Sequence, residues 1–571
     1  MISTMEKPLK RSRSSSTNMV GVNKQWRGIT LSKKTHTRAS PSHSAAVRHD
    51  SVRGHVTQLS TRASRTNAAP RNTVAATIRV HRERAKISND RTFDVVVMAQ
   101  AERERLRVLM FPWLAHGHIN PYLELATRLT TTSSSQIDVV VHLVSTPVNL
   151  AAVAHRRTDR ISLVELHLPE LPGLPPALHT TKHLPPRLMP ALKRACDLAA
   201  PAFGALLDEL SPDVVLYDFI QPWAPLEAAA RGVPAVHFST CSAAATAFFL
   251  HFLDGGGGGG GRGAFPFEAI SLGGAEEDAR YTMLTCRDDG TALLPKGERL
   301  PLSFARSSEF VAVKTCVEIE SKYMDYLSKL VGKEIIPCGP LLVDSGDVSA
   351  GSEADGVMRW LDGQEPGSVV LVSFGSEYFM TEKQLAEMAR GLELSGAAFV
   401  WVVRFPQQSP DGDEDDHGAA AARAMPPGFA PARGLVVEGW APQRRVLSHR
   451  SCGAFLTHCG WSSVMESMSA GVPMVALPLH IDQPVGANLA AELGVAARVR
   501  QERFGEFEAE EVARAVRAVM RGGEALRRRA TELREVVARR DAECDEQIGA
   551  LLHRMARLCG KGTGRAAQLG H

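Results

Sequence analysis

The sequence of 571 residues lacks the patterns that mark several large classes of protein. Its nine cysteines form no Cys-x-x-Cys pair, which argues against a disulfide framework or a structural zinc site and fits a reducing compartment. No run of about 18 apolar residues occurs, so we expect no membrane span, and the longest apolar stretch, Cys241 to Leu253, predicts a core helix. No Gly-x-Gly-x-x-Gly follows the first predicted strand, which argues against a dinucleotide-dependent oxidoreductase.

Charge is unevenly spread along the chain. Residues 1–100 contain 19 Lys/Arg against 5 Asp/Glu, a net charge of +14, whereas the whole chain carries +4, which leaves −10 for the remaining 471 residues. Residues 1–97 show no sustained apolar periodicity, so they cannot bury enough apolar surface to offset their ordering entropy, and we expect a basic, disordered leader.

Three interpretations of residues 1–97 are open. The segment is a transit peptide that directs the protein to a plastid, a basic arm that binds nucleic acid, or a non-functional extension upstream of a start at Met98. Its aromatic residues are only Trp26 and Phe93, which argues against stacking on bases. Without a transit peptide, we expect a cytoplasmic protein that does not bind nucleic acid.

From Arg107 onward, apolar runs of strand length alternate with helical sequence. The predicted strands are Arg107–Leu114, Ile137–Val144, Val214–Tyr217, Ala235–Phe238, Val369–Phe374, Phe399–Val403, Leu435–Val437, Ala454–Thr457 and Met474–Leu477. This alternation predicts an α/β fold of two doubly wound, Rossmann-like domains with parallel sheets. The loop Ala115–Pro121 is expected to lead into a helix over Tyr122–Leu129, with Pro121 at its start.

The domain boundary is expected in a polar, Gly/Ser-rich stretch. We predict an N-terminal domain over 98–342, a linker over 343–355, a C-terminal domain over 356–535, and a closing helix and tail over 536–571.

The segment from Trp440 to Gln483 carries most of the chemical information. It predicts a strand, a tight turn, and a helix that opens at Ser462 or Ser463. A helix N-terminus offers unpaired N–H groups and a positive dipole end, so it can bind an anion, and His458 just before it could add charge or a hydrogen bond. The spacing of Ser463 and Glu466 also matches a capping box, so spacing alone leaves phosphate binding and simple capping equally open.

This 440–483 segment resembles the signature of the plant family 1 UDP-glycosyltransferases over its full length. The similarity extends over 105–560 and includes Phe111 to His118, Asp218, and Ser373 to Ser376. It implies a GT-B type fold, in which two Rossmann-like domains face a cleft. It also implies a monomeric enzyme without cofactor or metal that moves a sugar, with glucose favoured, from UDP-glucose or a related UDP-sugar to a flavonoid, terpenoid or similar small molecule.

The resemblance also assigns a donor site. Trp440 would stack on the uracil ring, Gln443 would lie against the nucleoside, and Glu466 would accept hydrogen bonds from the ribose. The diphosphate would be contacted by Ser376, His458 and Ser463, and the sugar by Trp461, Asp482 and Gln483. Gly460 and Ser462 would also belong to the UDP-sugar site. Many family members have Asn where this chain has Ser462. Serine at that position resembles the subgroup that extends existing sugars, which favours an acceptor that is already a glycoside.

Two histidines in one predicted loop, His116 and His118, could act as the general base, since neutral imidazole has a pKa near working pH. The resemblance selects His118, and it implies that Asp218 hydrogen-bonds this histidine and fixes its tautomer. From the residues alone, Asp218 could equally be a turn or cap residue.

Transfer would then be a single displacement with inversion. Aromatic residues of the N-terminal domain, Trp113, Phe219 and Trp223, are predicted to line the acceptor site. An acidic run at 411–416 lacks the glycine and ligand spacing of a calcium-binding loop, and we predict no metal site. The alternative is a binding protein for UDP-sugars or glycosides that has lost catalysis.

Overall fold

The computed structural model describes residues 105–132, 137–253, 264–273, 296–342, 352–405, 424–480 and 482–561. The predicted leader at 1–97, linker residues 343–351 and the acidic run at 411–416 lie outside the described residues.

Among the described residues, the first lobe is built on a sheet of seven parallel strands. In chain order these are β1 (Arg105–Phe111), β2 (Asp138–Ser145), β3 (Ile161–Glu165), β4 (Val214–Tyr217), β5 (Ala235–Ser239), β6 (Phe310–Val313) and β7 (Glu334–Pro337). Their order across the sheet is β3-β2-β1-β4-β5-β6-β7. Helices cover both faces of such a sheet, which is why its central strands are nearly continuous apolar runs.

Helices follow most of these strands. They are α1 (His116–Thr131), α2 (Pro147–Ala152), α3 (Met189–Leu198), α4 (Ala200–Leu210), α5 (Ala224–Ala229), α6 (Ala243–Leu253), α7 (Lys296–Arg306) and α8 (Val317–Val331). Short 3-10 turns span Ala154–Arg156, Pro176–Leu178, Pro186–Leu188 and Glu268–Ile270. The predicted core helix near residue 241 is confirmed as α6, whose residues 243–251 are all buried.

The second lobe repeats the plan with six parallel strands in the part of the chain that the structure describes. They are β8 (Val369–Ser373), β9 (Ala398–Val403), β10 (Gly434–Glu438), β11 (Cys452–Thr457), β12 (Met474–Ala476) and β13 (Ala496–Arg498), in the order β10-β9-β8-β11-β12-β13. Its helices, with two that close the chain, are α9 (Ser352–Asp362), α10 (Glu382–Ser395), α11 (Gln443–Leu447), α12 (Trp461–Ala470), α13 (Gln483–Glu492), α14 (Ala509–Gly522), α15 (Glu524–Ala542) and α16 (Cys544–Leu558). The predicted pair of doubly wound α/β domains is confirmed.

The order of each sheet reverses once in its interior. In the first sheet the reversal lies between β1 and β4, and in the second between β8 and β11. Loops that leave neighbouring strands at such a switch point go to opposite faces, so they open a crevice at the carboxyl ends of the strands. The fold therefore places one crevice in each lobe.

The first helix begins six residues before the predicted helix over Tyr122–Leu129. It starts at His116, and the carbonyl of Ala115 accepts a hydrogen bond from the amide of His118 at 2.9 Å. Pro121, predicted at the helix start, lies inside the helix. Near an N-terminus the missing N–H of proline removes only one helical hydrogen bond, so the helix continues through it. Both candidate histidines consequently sit in the first helical turn and not on a loop.

The last two helices pack on different lobes. α15 packs on α12 of the second lobe, where its Ala530, Leu533 and Val537 share an apolar core with Val464 and Met468. The buried face of α16 instead joins the core beneath β1 and β2, through residues that include Ile548 and Leu552. The segment predicted as a closing helix and tail therefore completes the first lobe.

Candidate functional site

The crevice of the first lobe contains a histidine and an aspartate in direct contact. Nδ1 of His118, in the first turn of α1, lies 2.7 Å from Oδ2 of Asp218, which directly follows β4. The carboxylate also accepts hydrogen bonds from the amides of Phe219 (2.7 Å) and Trp113 (3.3 Å), and it is 1% exposed. Oγ1 of Thr240 lies 3.0 Å from the same ring nitrogen. The structure thus brings together two residues that are 100 positions apart in the sequence.

Electrostatics make this histidine a strong base for an imidazole. Burial by itself lowers the pKa of His118, but the charge and hydrogen bond of Asp218 outweigh it, and Glu377 and Asp482 of the second lobe act in the same direction as Asp218. The pKa of His118 is therefore raised. Burial acts to raise the pKa of Asp218, yet contact with His118 holds it below its ordinary value. The aspartate is an ionised partner that fixes the orientation of the ring.

The other histidine is a much weaker base. Burial lowers the pKa of His116 to about 4, and the charges of Lys182 and Arg404 act in the same direction. Of the two histidines, only His118 combines raised basicity with a carboxylate partner.

In the second lobe, α12 begins at the corresponding crevice, directly after β11. Gly460 is its N-cap residue and no side chain caps the helix. Of the two alternatives left open for Ser463 and Glu466, the structure does not form the capping box: the helix starts at Trp461, so Ser463 lies inside the first turn, where its hydroxyl cannot act as the cap. The amides of the first turn keep their capacity to bind an anion.

Two glycines, Gly375 and Gly460, leave room for the ring of His458 beside the N-terminus of α12. A Cβ added to either Gly375 or Gly460 would lie 2.8 Å from Nε2 of His458, closer than real side chains approach. Gly375 also has φ +76°, a conformation that favours glycine. Burial lowers the pKa of His458 to about 4, with His480 acting in the same direction. Of the two contributions predicted for His458, a charge and a hydrogen bond, the structure supports the hydrogen bond.

A polar cluster lies one turn further along α12. Nε2 of Gln443, the first residue of α11, donates to Oε2 of Glu466 at 2.8 Å and lies 3.4 Å from Oγ of Ser463. Burial raises the pKa of Glu466. Beside this cluster Trp440 is 41% exposed, which is unusual for the largest apolar side chain. An exposed indole next to a carboxylate provides a flat stacking surface with a hydrogen-bond acceptor beside it.

The remaining predicted donor residues occupy the loops around the second crevice. Ser376 is half-buried in the loop after β8. Asp482 is the N-cap residue of α13, and burial raises its pKa. The side-chain carbonyl of Gln483 accepts from the amides of Leu479 (2.9 Å) and His480 (2.7 Å), so only its NH₂ group is left to bind a ligand.

Contacts between the lobes join the two crevices. The indole N–H of Trp461 donates to the carbonyl of Lys314 at 2.7 Å, and Thr181 donates to Glu377 at 2.9 Å. The two crevices consequently face each other, and charges of one lobe act on His118 in the other.

Comparison with known proteins agrees with this arrangement. The sequence profile described as "UDP-glucoronosyl and UDP-glucosyl transferase" matches residues 343–535, and one described as "Glycosyltransferase, N-terminal domain" matches residues 104–257. Mogroside IIIx synthase of Siraitia grosvenorii is 39% identical over 460 residues, 78% of this chain and 96% of that protein. The chain belongs to the plant family 1 UDP-glycosyltransferases.

Other relatives of this glycosyltransferase transfer different sugars. The beta-D-glucosyl crocetin beta-1,6-glucosyltransferase of Gardenia jasminoides is 40% identical, over 78% of this chain and 97% of that protein. The flavanone 7-O-glucoside 2''-O-beta-L-rhamnosyltransferase of Citrus maxima is 37% identical, over 80% of this chain and 98% of that protein.

Solved structures show the same GT-B fold. UGT73P12 of Glycyrrhiza uralensis, complexed with glycyrrhetinic acid 3-O-monoglucuronide, has a TM-score of 0.62 at 23% identity, covering 79% of this chain and 96% of that one. UGT2 of Phytolacca americana, complexed with UDP-2-fluoro-glucose and pterostilbene, has a TM-score of 0.59 at 26% identity, covering 80% and 100%.

The three predicted acceptor residues of this glycosyltransferase differ in their placement. The ring centroid of Phe219 lies 6.0 Å from that of His118, so it borders the base. Trp223 is 8% exposed, packs against Phe111 and donates its indole N–H to Asp197. Trp113 is 4% exposed. Both tryptophans pack in the core, and contact of either with an acceptor stays a prediction.

Neither a metal-binding cluster nor a membrane-spanning helix is found among the described residues. No group of three or more His, Cys, Asp or Glu side chains is arranged to hold a metal ion there. Within the same ranges, no helix combines the length and apolar character that a bilayer crossing requires.

Sequence reasoning missed Thr240, which contacts Nδ1 of His118, and Lys314 at the start of α12. Lys314 follows β6, is 2% exposed, and donates from Nζ to Oγ of Ser462 at 2.9 Å. Only its position directly after a short apolar run could have marked it, and that run was itself not predicted as a strand.

Proposed function

We propose that this enzyme transfers a hexose, with glucose favoured, from a UDP-sugar to a hydroxyl on the sugar of a small-molecule glycoside, with inversion and without a metal. The observation that carries the proposal is the hydrogen-bonded pair of His118 and Asp218 in one crevice, facing the uncapped end of α12 in the other. A base and an anion site on opposite sides of a cleft suit a reaction in which one partner loses a proton while the other leaves as an anion.

His118 acts as the general base of this reaction. Since Nδ1 contacts Asp218, Nε2 lies on the opposite side of the ring and takes the proton of the acceptor hydroxyl. The acceptor oxygen then forms a bond to the anomeric carbon as the bond from that carbon to the diphosphate breaks. Its electron pair stays with UDP. The charge of Asp218 stabilises the imidazolium that forms.

The second lobe stabilises the leaving group. The diphosphate accepts hydrogen bonds from the amides at the start of α12, the neutral ring of His458, and the hydroxyls of Ser463 and Ser376; the absence of a side-chain cap on α12 supports this. Such fixed donors stabilise developing charge without having to reorganise, which is the contribution that a metal ion makes in other transferases.

The nucleoside and the sugar occupy the two flanks of α12. The exposed indole of Trp440 stacks on the uracil ring, Gln443 lies against the nucleoside, and the carboxylate of Glu466 accepts from the ribose hydroxyls. On the other flank, Asp482 and the NH₂ group of Gln483 read neighbouring hydroxyls of the transferred sugar.

A glycoside acceptor is supported by the relatives. The Gardenia jasminoides and Citrus maxima enzymes act, by their names, on a glucosyl crocetin and on a flavanone glucoside. Serine at 462 and the sequence around His118 resemble the same sugar-extending subgroup.

A transfer screen tests the proposal. The full chain is incubated with UDP-glucose, UDP-rhamnose, UDP-galactose or UDP-xylose and with flavonoid and terpenoid aglycones or their monoglucosides, and products are identified by mass. We expect a mass gain of one hexose on monoglucosides, and a β-anomeric proton coupling in the product from an α-linked donor. Transfer to aglycones alone would refute the glycoside acceptor. Tight UDP binding without any transfer would favour the alternative of an inactive binding protein.

A further inference from the structure

Lys314 occupies an unusual position for a lysine. It directly follows β6 in the first lobe, yet its ammonium group crosses to the second lobe and contacts Ser462, the second residue of α12. The side chain is almost completely removed from solvent, whereas lysine is among the residues that proteins bury least. A buried lysine needs a partner that compensates its lost hydration.

The described residues do not supply that partner. The hydrogen bond of Nζ goes to a neutral hydroxyl, and no carboxylate in the described ranges forms an ion pair with Lys314. Burial lowers its pKa to about 8, and Glu466 and Glu124 offset this only in part. The ammonium also lies at the positive end of a helix dipole, where a cation is unfavourable. An anion bound between the ammonium of Lys314 and the start of α12 would compensate both the burial of this charge and its unfavourable place at the helix dipole.

We propose that Lys314 binds the diphosphate of the UDP-sugar and stabilises the negative charge of the departing UDP. The inference rests on the proposed function, since it requires the diphosphate to lie at the start of α12. An ammonium group has three N–H donors, of which Ser462 takes one, so two remain for phosphate oxygens. Ser462 thereby acts as a positioning residue that holds the ammonium at the first turn of α12.

This assignment gives the anion site a full positive charge. The other donors of the site are neutral, because His458 is deprotonated at working pH and the remainder are amides and hydroxyls. Hydrogen bonds from charged donors to phosphate are roughly twice as strong as neutral ones. Because the charge comes from the first lobe, it is in place only when the two lobes are docked as they are here.

The test separates binding of the diphosphate from binding of the nucleoside. The affinities of UDP and of uridine are measured by titration calorimetry for the wild type, Lys314→Met, Lys314→Arg and the control Lys322→Met. Methionine keeps the apolar stem and removes the charge, while arginine keeps the charge. Lys322 matches Lys314 because it also bridges the lobes, through Glu492, but it is exposed and contacts α13 and not α12.

We expect Lys314→Met to weaken UDP binding about 10- to 100-fold and to leave uridine binding unchanged. Lys314→Arg should recover most of the UDP affinity, and Lys322→Met should match the wild type with both ligands. The kcat/KM of Lys314→Met for the UDP-sugar should fall by more than its UDP affinity, since the charge on UDP grows as the bond breaks.

Three outcomes would overturn the assignment. Equal weakening of UDP and uridine would show that Lys314 only supports the structure of the site. Unchanged UDP affinity in a folded Lys314→Met variant would show that the ammonium does not reach the diphosphate. A Lys314→Arg variant that binds UDP as weakly as Lys314→Met would also count against a contact between the charge and the diphosphate. If the wild type itself binds UDP no better than uridine, the diphosphate site of the proposed function fails, which is a separate result.

Discussion

Asp218→Asn removes the charge from the partner of His118 while preserving its shape. In the wild type, Oδ1 accepts from the amide of Phe219 at 2.7 Å and Oδ2 contacts Nδ1 of His118. The hydrogen bond from the Phe219 amide to Oδ1 is shorter than the one from the Trp113 amide to Oδ2 (2.7 against 3.3 Å), so we expect an asparagine to keep its oxygen toward Phe219 and to turn its NH₂ group to His118. That group can only donate, so it favours the tautomer whose proton sits on Nε2. In this tautomer Nε2 has no lone pair with which to take the proton of the acceptor.

The size of the loss follows from this geometry. An asparagine that imposes the wrong tautomer lowers the turnover of a His–Asp catalyst about 10⁴-fold in serine proteases. Here Oγ1 of Thr240 also lies 3.0 Å from Nδ1, so a neutral acceptor survives that can hold the productive tautomer. Such a hydrogen bond contributes about 1 kcal/mol, or roughly fivefold, which reduces the expected loss to about 2,000-fold.

The acid limb of the pH profile should move as well. Transfer requires neutral His118, so activity is lost as pH falls through the pKa of this residue. Asp218 raises that pKa in the wild type, whereas burial alone lowers it. Without the carboxylate charge, burial prevails, and the acid limb of kcat/KM should shift to lower pH.

The assay is initial-rate transfer between pH 5 and 9 with the donor and acceptor found in the screen, together with UDP titration. UDP affinity should stay at the wild-type value, because the variant lies in the other lobe from α12. Adding Thr240→Val to Asp218→Asn should remove the remaining fivefold, while Thr240→Val alone should have a small effect. A folded Asp218→Asn variant that keeps turnover within tenfold, with an unshifted acid limb, would refute this account of the pair.

Three further changes address the donor side. Gly375→Ala should lower both the stability of the protein and its UDP affinity, because the added Cβ meets the ring of His458. Gly428→Ala is the control, since Gly428 has a similar φ of +77° and open space around it among the described residues. Its free energy of unfolding should fall by about 1–2 kcal/mol in a thermal unfolding experiment, while its UDP affinity stays unchanged. Trp440→Ala should weaken UDP binding about 5- to 150-fold by calorimetry, since stacking on a base contributes about 1–3 kcal/mol, and an unchanged affinity would exclude stacking. EDTA should leave turnover intact; strong loss that Mn²⁺ restores would show that a metal takes part.

Long apolar runs allowed most of the fold to be predicted. All nine predicted strands exist, and Val214–Tyr217 was predicted with its observed bounds. The first predicted strand extended to Leu114, whereas β1 ends at Phe111, because Pro112 has no amide to continue the ladder. Sequence reasoning missed β3, β6, β7 and β13, of which β3, β7 and β13 include a charged residue that shortens the apolar run.

The residues of the site that belong to a recognised motif could be predicted from the sequence. Contacts that depend on how distant segments fold together were harder to predict. The His118–Asp218 contact followed from the family resemblance, and the topology explains it, because the two residues follow adjacent strands at a switch point. Lys314 belongs to no motif, and its meeting with Ser462 depends on how the lobes dock. The hydrogen bonds that occupy the side-chain carbonyl of Gln483 and the burial of the Trp223 ring likewise depend on the fold and could not be predicted from a motif.

The packing of α16 on α1, in the core that both share with β1 and β2, has a consequence for how the protein folds. A polypeptide emerges from the ribosome from its N-terminus, and domains generally fold in that order. Here α1, β1 and β2 are made some 400 residues before Ile548 and Leu552, which complete their apolar core. An apolar face of the first lobe therefore stays exposed to water until the whole second lobe has been synthesised. Removing residues 544–558 would leave that face exposed permanently, and we expect such a truncated chain to aggregate during synthesis even though every residue of the reaction site is retained.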